Sequence, residues 1–120
     1  MTVYVVQEVQ GMNLLPATKF GNLEVLLPNG QVVFSAVPTV NRIKTNLRKY
    51  TIEDFLLMIG DPAAIAIAAA VAADITGGKF RLLKWDKQEK VYIPIEINIS
   101  KSAFDGTTME RGYGKNKTRW

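Results

Sequence analysis

The chain has no cysteine and no histidine. Without cysteine it can form no disulfide, no thiolate metal centre and no thiol nucleophile. Without histidine it lacks the commonest general base and the commonest metal ligand. Neither glycine-rich phosphate pattern is present, the dinucleotide fingerprint or the loop that ends in Lys-Ser/Thr. No positively charged segment leads into an apolar run near the start, so no signal peptide is expected. These absences point away from enzymes, and no catalytic residue, metal ligand or cofactor is assigned.

A long hydrophobic run is also missing, although one stretch comes close. Residues 56–78 read LLMIGDPAAIAIAAAVAADITGG. Asp61 and Pro62 cut the run on one side and Asp74 cuts it on the other. The twelve residues from Pro62 to Ala73 would rise about 18 Å as a helix, against a hydrocarbon core of about 30 Å. A soluble protein without a membrane partner is expected.

What remains is enough for one domain. The 120 residues are 48% hydrophobic, and the net charge is +4. Charge is uneven: residues 101–120 hold five cations against two carboxylates, and residues 1–100 are nearly neutral. This pattern predicts a compact domain over 1–100 and a flexible basic tail over 101–120.

Residues 2–9 (TVYVVQEV) have strand composition, and 11–21 reads as a loop. Residues 22–35 read as a hairpin with Asn29-Gly30 at its tip and Val32, Val33 and Phe34 returning. A helix is expected over 37–50, with Pro38 in its first turn and Val40, Ile43, Leu47 and Tyr50 forming one apolar stripe. FLLMIG (55–60) suits a central strand covered on both faces. Asp61 then caps a helix that starts at Pro62 and stops before Gly77-Gly78. Strands follow at 79–86 and 91–99. In the second, Val91, Ile93, Ile95, Ile97 and Ile99 share one face, and Pro94 favours an edge or a bulge. Trp85 and Tyr92 are expected to pack near this hairpin. The fold class is α/β (α+β mixed): a single mixed β-sheet of five or six strands with two α-helices packed on it. The strand order stays open.

Three surfaces carry functional expectations. The turn Gly60-Asp61-Pro62 lies where a strand ends and a helix begins, so Gly60, Asp61 and Ala63 are candidates for a nucleotide or anion. Against this, Asp61 is itself an anion and a natural cap. The second surface is the Ala-rich helix 62–75. It has no polar side chain from Pro62 to Ala73, so something has to cover more than one side of it. A homo-oligomer contact through Ala64, Ala68, Val71 and Ala72 is expected, which a bulky change such as Ala68→Trp would break. The alternative is burial within the chain, partly by the tail. The third surface is basic. Arg42, Lys44, Arg48 and Lys49 on helix 38–50, with Lys115, Lys117 and Arg119 in the tail, could meet nucleic-acid phosphates. Tyr113 and Trp120 sit among the tail cations and could stack on bases. A solvated helix face explains the same charges. Asp54, Asp61 and Asp74 are too far apart to share a metal, since thirteen helical residues span about 20 Å.

Residues 42–97 carry a resemblance. Gly60-Asp61-Pro62 after an apolar strand, a small-residue helix, Leu83-Lys84-Trp85-Asp86 and Ile93-Pro94 together resemble small tailed-bacteriophage proteins, including those of marine and cyanobacterial phages. The resemblance implies a viral protein in the cytoplasm of an infected bacterial cell. Joined to the absent chemistry, it leads to a non-enzymatic phage accessory protein that binds itself and a host or viral protein. Nucleic acid is the alternative partner.

Overall fold

The structure is a computed structural model, and it describes residues 1–30 and 36–100. The strands are β1 (Thr2–Gln7), β2 (Asn22–Leu27), β3 (Phe55–Leu57), β4 (Lys79–Asp86) and β5 (Val91–Asn98). The helices are α1 (Val37–Asn46) and α2 (Pro62–Thr76), and a 3-10 helix (Leu15–Phe20) lies between β1 and β2. One mixed sheet runs in the order β2-β1-β3-β4-β5. The first four strands are parallel, and β5 is antiparallel to β4.

The expected mixed sheet with two packed helices is present, with local differences. Residues 11–21 are a 3-10 crossover, not an open loop. Pro16 fits its first turn and Ala17 is buried, but six residues are too few to show a period. Residues 22–27 pair parallel to β1, and the expected return arm at Val32, Val33 and Phe34 lies outside the described residues. The central strand is three residues long where six were expected, because after Met58 the chain turns back, with the Ile59 N–H on the Leu57 carbonyl at 3.0 Å.

Each face of the sheet has its own core. On one side Tyr4, Val6, Leu26, Leu56 and Phe80 meet Ile43, Leu47, Ala64, Ala68 and Ala72 from the helices. On the other, Val3, Val5, Phe55, Leu57, Leu83 and Tyr92 meet Ala17, with Leu14 and Phe20 packed alongside. Continuous apolar runs in β1 and β3 follow directly, since both faces of those strands are covered.

Helix α2 is built as its ends predict. Asp61 Oδ1 accepts from the Ala63 N–H at 2.8 Å, and Pro62 fills a position that needs no donor. Gly77 takes the left-handed conformation (φ 74°), and the Gly78 N–H closes the end on the Ala73 carbonyl at 2.7 Å. Among the described residues no helix is long and apolar enough to cross a membrane.

Pro94 sits on edge strand β5 for a readable reason. Its partner is Leu83, whose carbonyl accepts from the Met58 N–H at 3.2 Å, toward β3. The backbone of Leu83 therefore points away from β5, and Leu83–Pro94 is a non-hydrogen-bonded pair. The missing N–H of Pro94 falls on the outer edge. It costs nothing in the ladder and removes one donor from an edge open to strand addition.

Candidate functional site

The parallel strands run outward in opposite directions from β1, to β2 on one side and to β3 and β4 on the other. The switch lies between β1 and β3, and in open α/β sheets the carboxyl end of that gap is the favoured ligand crevice. Here the gap is organised by Gln7, the last residue of β1, which is only 4% exposed. Its Nε2 donates to the carbonyls of Pro28 (3.0 Å) and Gly30 (2.7 Å), and its Oε1 accepts from the Asp61 N–H at 2.6 Å. One amide thus ties together the turns that follow β1, β2 and β3. Gly60 allows this (φ 120°): a Cβ there would lie 2.5 Å from Gln7 Cβ and 2.7 Å from its Oε1.

Beside Gln7 a cavity of about 530 Å³ opens, within the usual size range of ligand sites. Its apolar walls are Val9, Met12, Met58, Ile59, Pro62 and Ile65. Of the turn residues expected to bind an anion, Gly60 and Asp61 line the cavity and Ala63 does not. The turn has no donor to spare at its first three positions. The Asp61 N–H goes to Gln7, Pro62 has none, and the Ala63 N–H goes to the Asp61 carboxylate. A carboxylate at the mouth adds repulsion, so this geometry disfavours phosphate.

The four interface positions expected on α2 need a correction. Ala64, Ala68 and Ala72 are 0% exposed and Val71 is buried, all in the chain's own core. Their stripe is the one that lies on the sheet, so no second copy can reach it. The outward arc of α2 is Ala63, Ala66, Ala70 and Asp74, all exposed. Ile65, Ala69 and Ala73 form a half-buried flank. With the right-handed sense of parallel crossovers, that flank is turned toward β5.

Strand β5 continues this surface. Residue partners place Ile93, Ile95 and Ile97 opposite Lys84, Leu82 and Phe80, on the helix side of the sheet. No helix covers them fully. Val91 is 38% exposed, Ile93 39% and Ile99 55%, and Ile95 and Ile97 are half-buried. On the reverse face of β5, Pro94, Glu96 and Asn98 are exposed and Tyr92 is buried: it packs against Trp85 with ring centroids 4.8 Å apart, and its hydroxyl donates to the Asn13 carbonyl at 3.3 Å. Burial raises the Tyr92 pKa. Lys84, the partner of Ile93, and Asp74, near the C-terminal end of α2, are both exposed, and neither has an ion-pair partner among the described residues.

The basic positions Arg42, Lys44, Arg48 and Lys49 are all exposed. Helix α1 ends at Asn46, so Arg48 and Lys49 belong to the following turn. They line a polar hollow of about 370 Å³ that also contains Glu24, a poor neighbour for phosphate. Lys115, Lys117, Arg119, Tyr113 and Trp120 lie outside the described residues, as does the whole expected tail.

Among the described residues no cluster of three or more carboxylates that could hold a metal ion occurs. Asp54 has a structural task at the amino edge. Its carboxylate accepts from the N–H groups of Thr2 and Thr51, both at 2.9 Å, and from the Thr51 hydroxyl at 3.1 Å. It clamps the turn before β3 to the start of β1. Next to it the Tyr50 hydroxyl accepts from the Arg81 N–H at 3.2 Å. Burial raises the Tyr50 pKa, opposed by that hydrogen bond, and burial also raises that of Tyr4.

Sequence reasoning missed Gln7. The only signal was a polar side chain ending an apolar β run, which reads equally as a solvent-facing residue. No curated protein and no solved structure matches this chain. A family model does match, over residues 1–99, and the resemblance to small phage proteins holds: the chain belongs to the phage Pam3 gp32-like protein family.

Proposed function

We propose that this protein is a non-enzymatic phage accessory protein that works by binding other proteins in the infected host cell, and that its working form is a dimer. The observation that carries the reading is the open apolar face made by β5 and the outer arc of α2. Isoleucine side chains stand there beside alanines that let another surface approach closely. Exposed contiguous apolar surface of this kind marks interaction sites.

A second copy of the chain is the occupant that fits best. A two-fold axis lying in the interface, perpendicular to the line from Lys84 to Asp74, exchanges the two positions. Each lysine then meets the partner's Asp74, so four charges, two from each chain and without ion-pair partners among the described residues, form two ion pairs. The face is about 22 Å long, the length of a 15-residue helix. With its width of a helix and two strands, the contact would cover on the order of 1,000 Å² in total, the low end for a specific interface. Such a dimer dissociates on dilution.

Charge reversal tests this. Asp74→Lys and Lys84→Asp should each weaken the dimer in sedimentation equilibrium, by places where like charges meet twice. The combined variant should recover it. Single reversals that leave self-association untouched would remove this face from the dimer. A stable monomer that captures a different phage or host protein through β5 would keep the binding function and replace the occupant.

A further inference from the structure

The crevice at the carboxyl edge is a separate feature from the dimer face, and its chemistry is more specific than its position. We infer that it binds an uncharged or cationic aromatic small molecule. Three observations lead there. First, its location is the strand-order switch between β1 and β3, and its walls come from the turns after three different strands, so it is formed by the fold as a whole. Second, two of its polar side chains, Gln7 and Asp61, are already engaged. The Gln7 amide bonds three partners, and Asp61 caps α2. The crevice is therefore held open in a fixed shape by its own network, and what it offers a ligand is the apolar wall. Third, that wall contains two methionines from different turns, Met12 after β1 and Met58 after β3, both half-buried. Thioether side chains adapt to a flat ring and make favourable sulfur–aromatic contacts.

The sign of the ligand follows from the mouth. The Asp61 carboxylate stands there, the Asp61 and Ala63 N–H groups are already bonded, and Pro62 has none. An anion would meet repulsion from this carboxylate without a donor from Asp61, Pro62 or Ala63. A cation would be attracted, and a neutral ring would be indifferent to charge.

Both methionines are reporters. In the full chain, labelled with ¹³C at the methionine methyls, four signals arise from Met1, Met12, Met58 and Met109. Three probes with the same ring but different charge are titrated: indole, tryptamine and indole-3-acetate. Saturable shifts are expected at Met12 and Met58 with indole and tryptamine, with Met1 and Met109 still. Indole-3-acetate should bind at least about tenfold more weakly than tryptamine. Met12→Glu, at the rim, should abolish the shift at Met58 for indole while the circular dichroism spectrum stays unchanged. Ile65→Trp, which fills the wall from α2, should do the same if Met12→Glu proves unstable. No saturable shift with any probe, equal movement of all four methyls, or tighter binding of the anion would each overturn the inference.

Discussion

The two parts of the sheet were added to the fold in different ways, and they are covered differently as a result. Strands β2, β1, β3 and β4 are joined by crossovers, and each crossover brings its own cover. The 3-10 helix lies on one face, and α1 and α2 lie on the other. Strand β5 arrives by a tight turn of residues 87–90, closed by the Lys90 N–H on the Asp86 carbonyl at 2.8 Å. A hairpin adds a strand without adding a helix. The helix side of β5 is therefore left with open isoleucines, while the central crossover strands β1 and β3 are buried on both faces. An apolar surface exposed by topology in this way suits a partner, and this contrast is why we propose assembly at β5.

The largest effect should come from testing α2 at two neighbouring alanines. Ala68→Trp inserts a large ring into a closed site and should cost about 3 kcal/mol or more, enough to lose the fold in thermal melts. Ala66→Trp, two residues earlier on the outer arc, should change the stability of the subunit by less than about 0.5 kcal/mol. Its effect should appear in self-association instead. Equal melting temperatures for the two variants would erase the distinction between the covered and open sides of α2.

Gln7→Leu comes next. It strips the partner from the carbonyls of Pro28 and Gly30 and from the Asp61 N–H, and should cost about 3 kcal/mol in urea unfolding. A neutral result would mean that the three turns hold together without it. Smaller still, Ile93→Lys on the open face should leave unfolding within about 1 kcal/mol of the parent while weakening the dimer. If it unfolds the chain, β5 is already covered in the monomer.

The smallest effect is on pH dependence. Tyr4, Tyr50 and Tyr92 have folded pKa values above the ordinary 10.0, chiefly through burial. The folded state thus prefers the neutral phenol. Their contribution to stability is complete below pH 10 and declines as pH rises through the raised values. Urea midpoints should fall above pH 10, and less steeply in Tyr50→Phe. The same slope in parent and variant would assign the loss to other groups.

Much of this architecture was legible in the sequence. Capping residues and glycines marked both ends of α2, and the stripe Ile43, Leu47, Tyr50 marked the buried side chains of α1 and of the turn that follows it. Alternation in β5 correctly separated Tyr92 from the isoleucines. What alternation cannot say is which face another element covers, because that depends on how the strands connect. The same limit affected α2. Its alanines looked alike all round, and the four chosen as an interface are the four that touch the sheet. Gln7 is far in sequence from Gly60 and Asp61, and only the parallel pairing of β1 with β3 brings them together. Val32 to Phe34 and the basic tail lie outside the described residues.

Light scattering on the full chain across a concentration series tests most directly whether the open β5–α2 face is a dimer contact. The expected mass approaches twice the 13.3 kDa of one chain at high concentration and falls toward a single chain on dilution. A mass of one chain at every concentration would contradict the dimer.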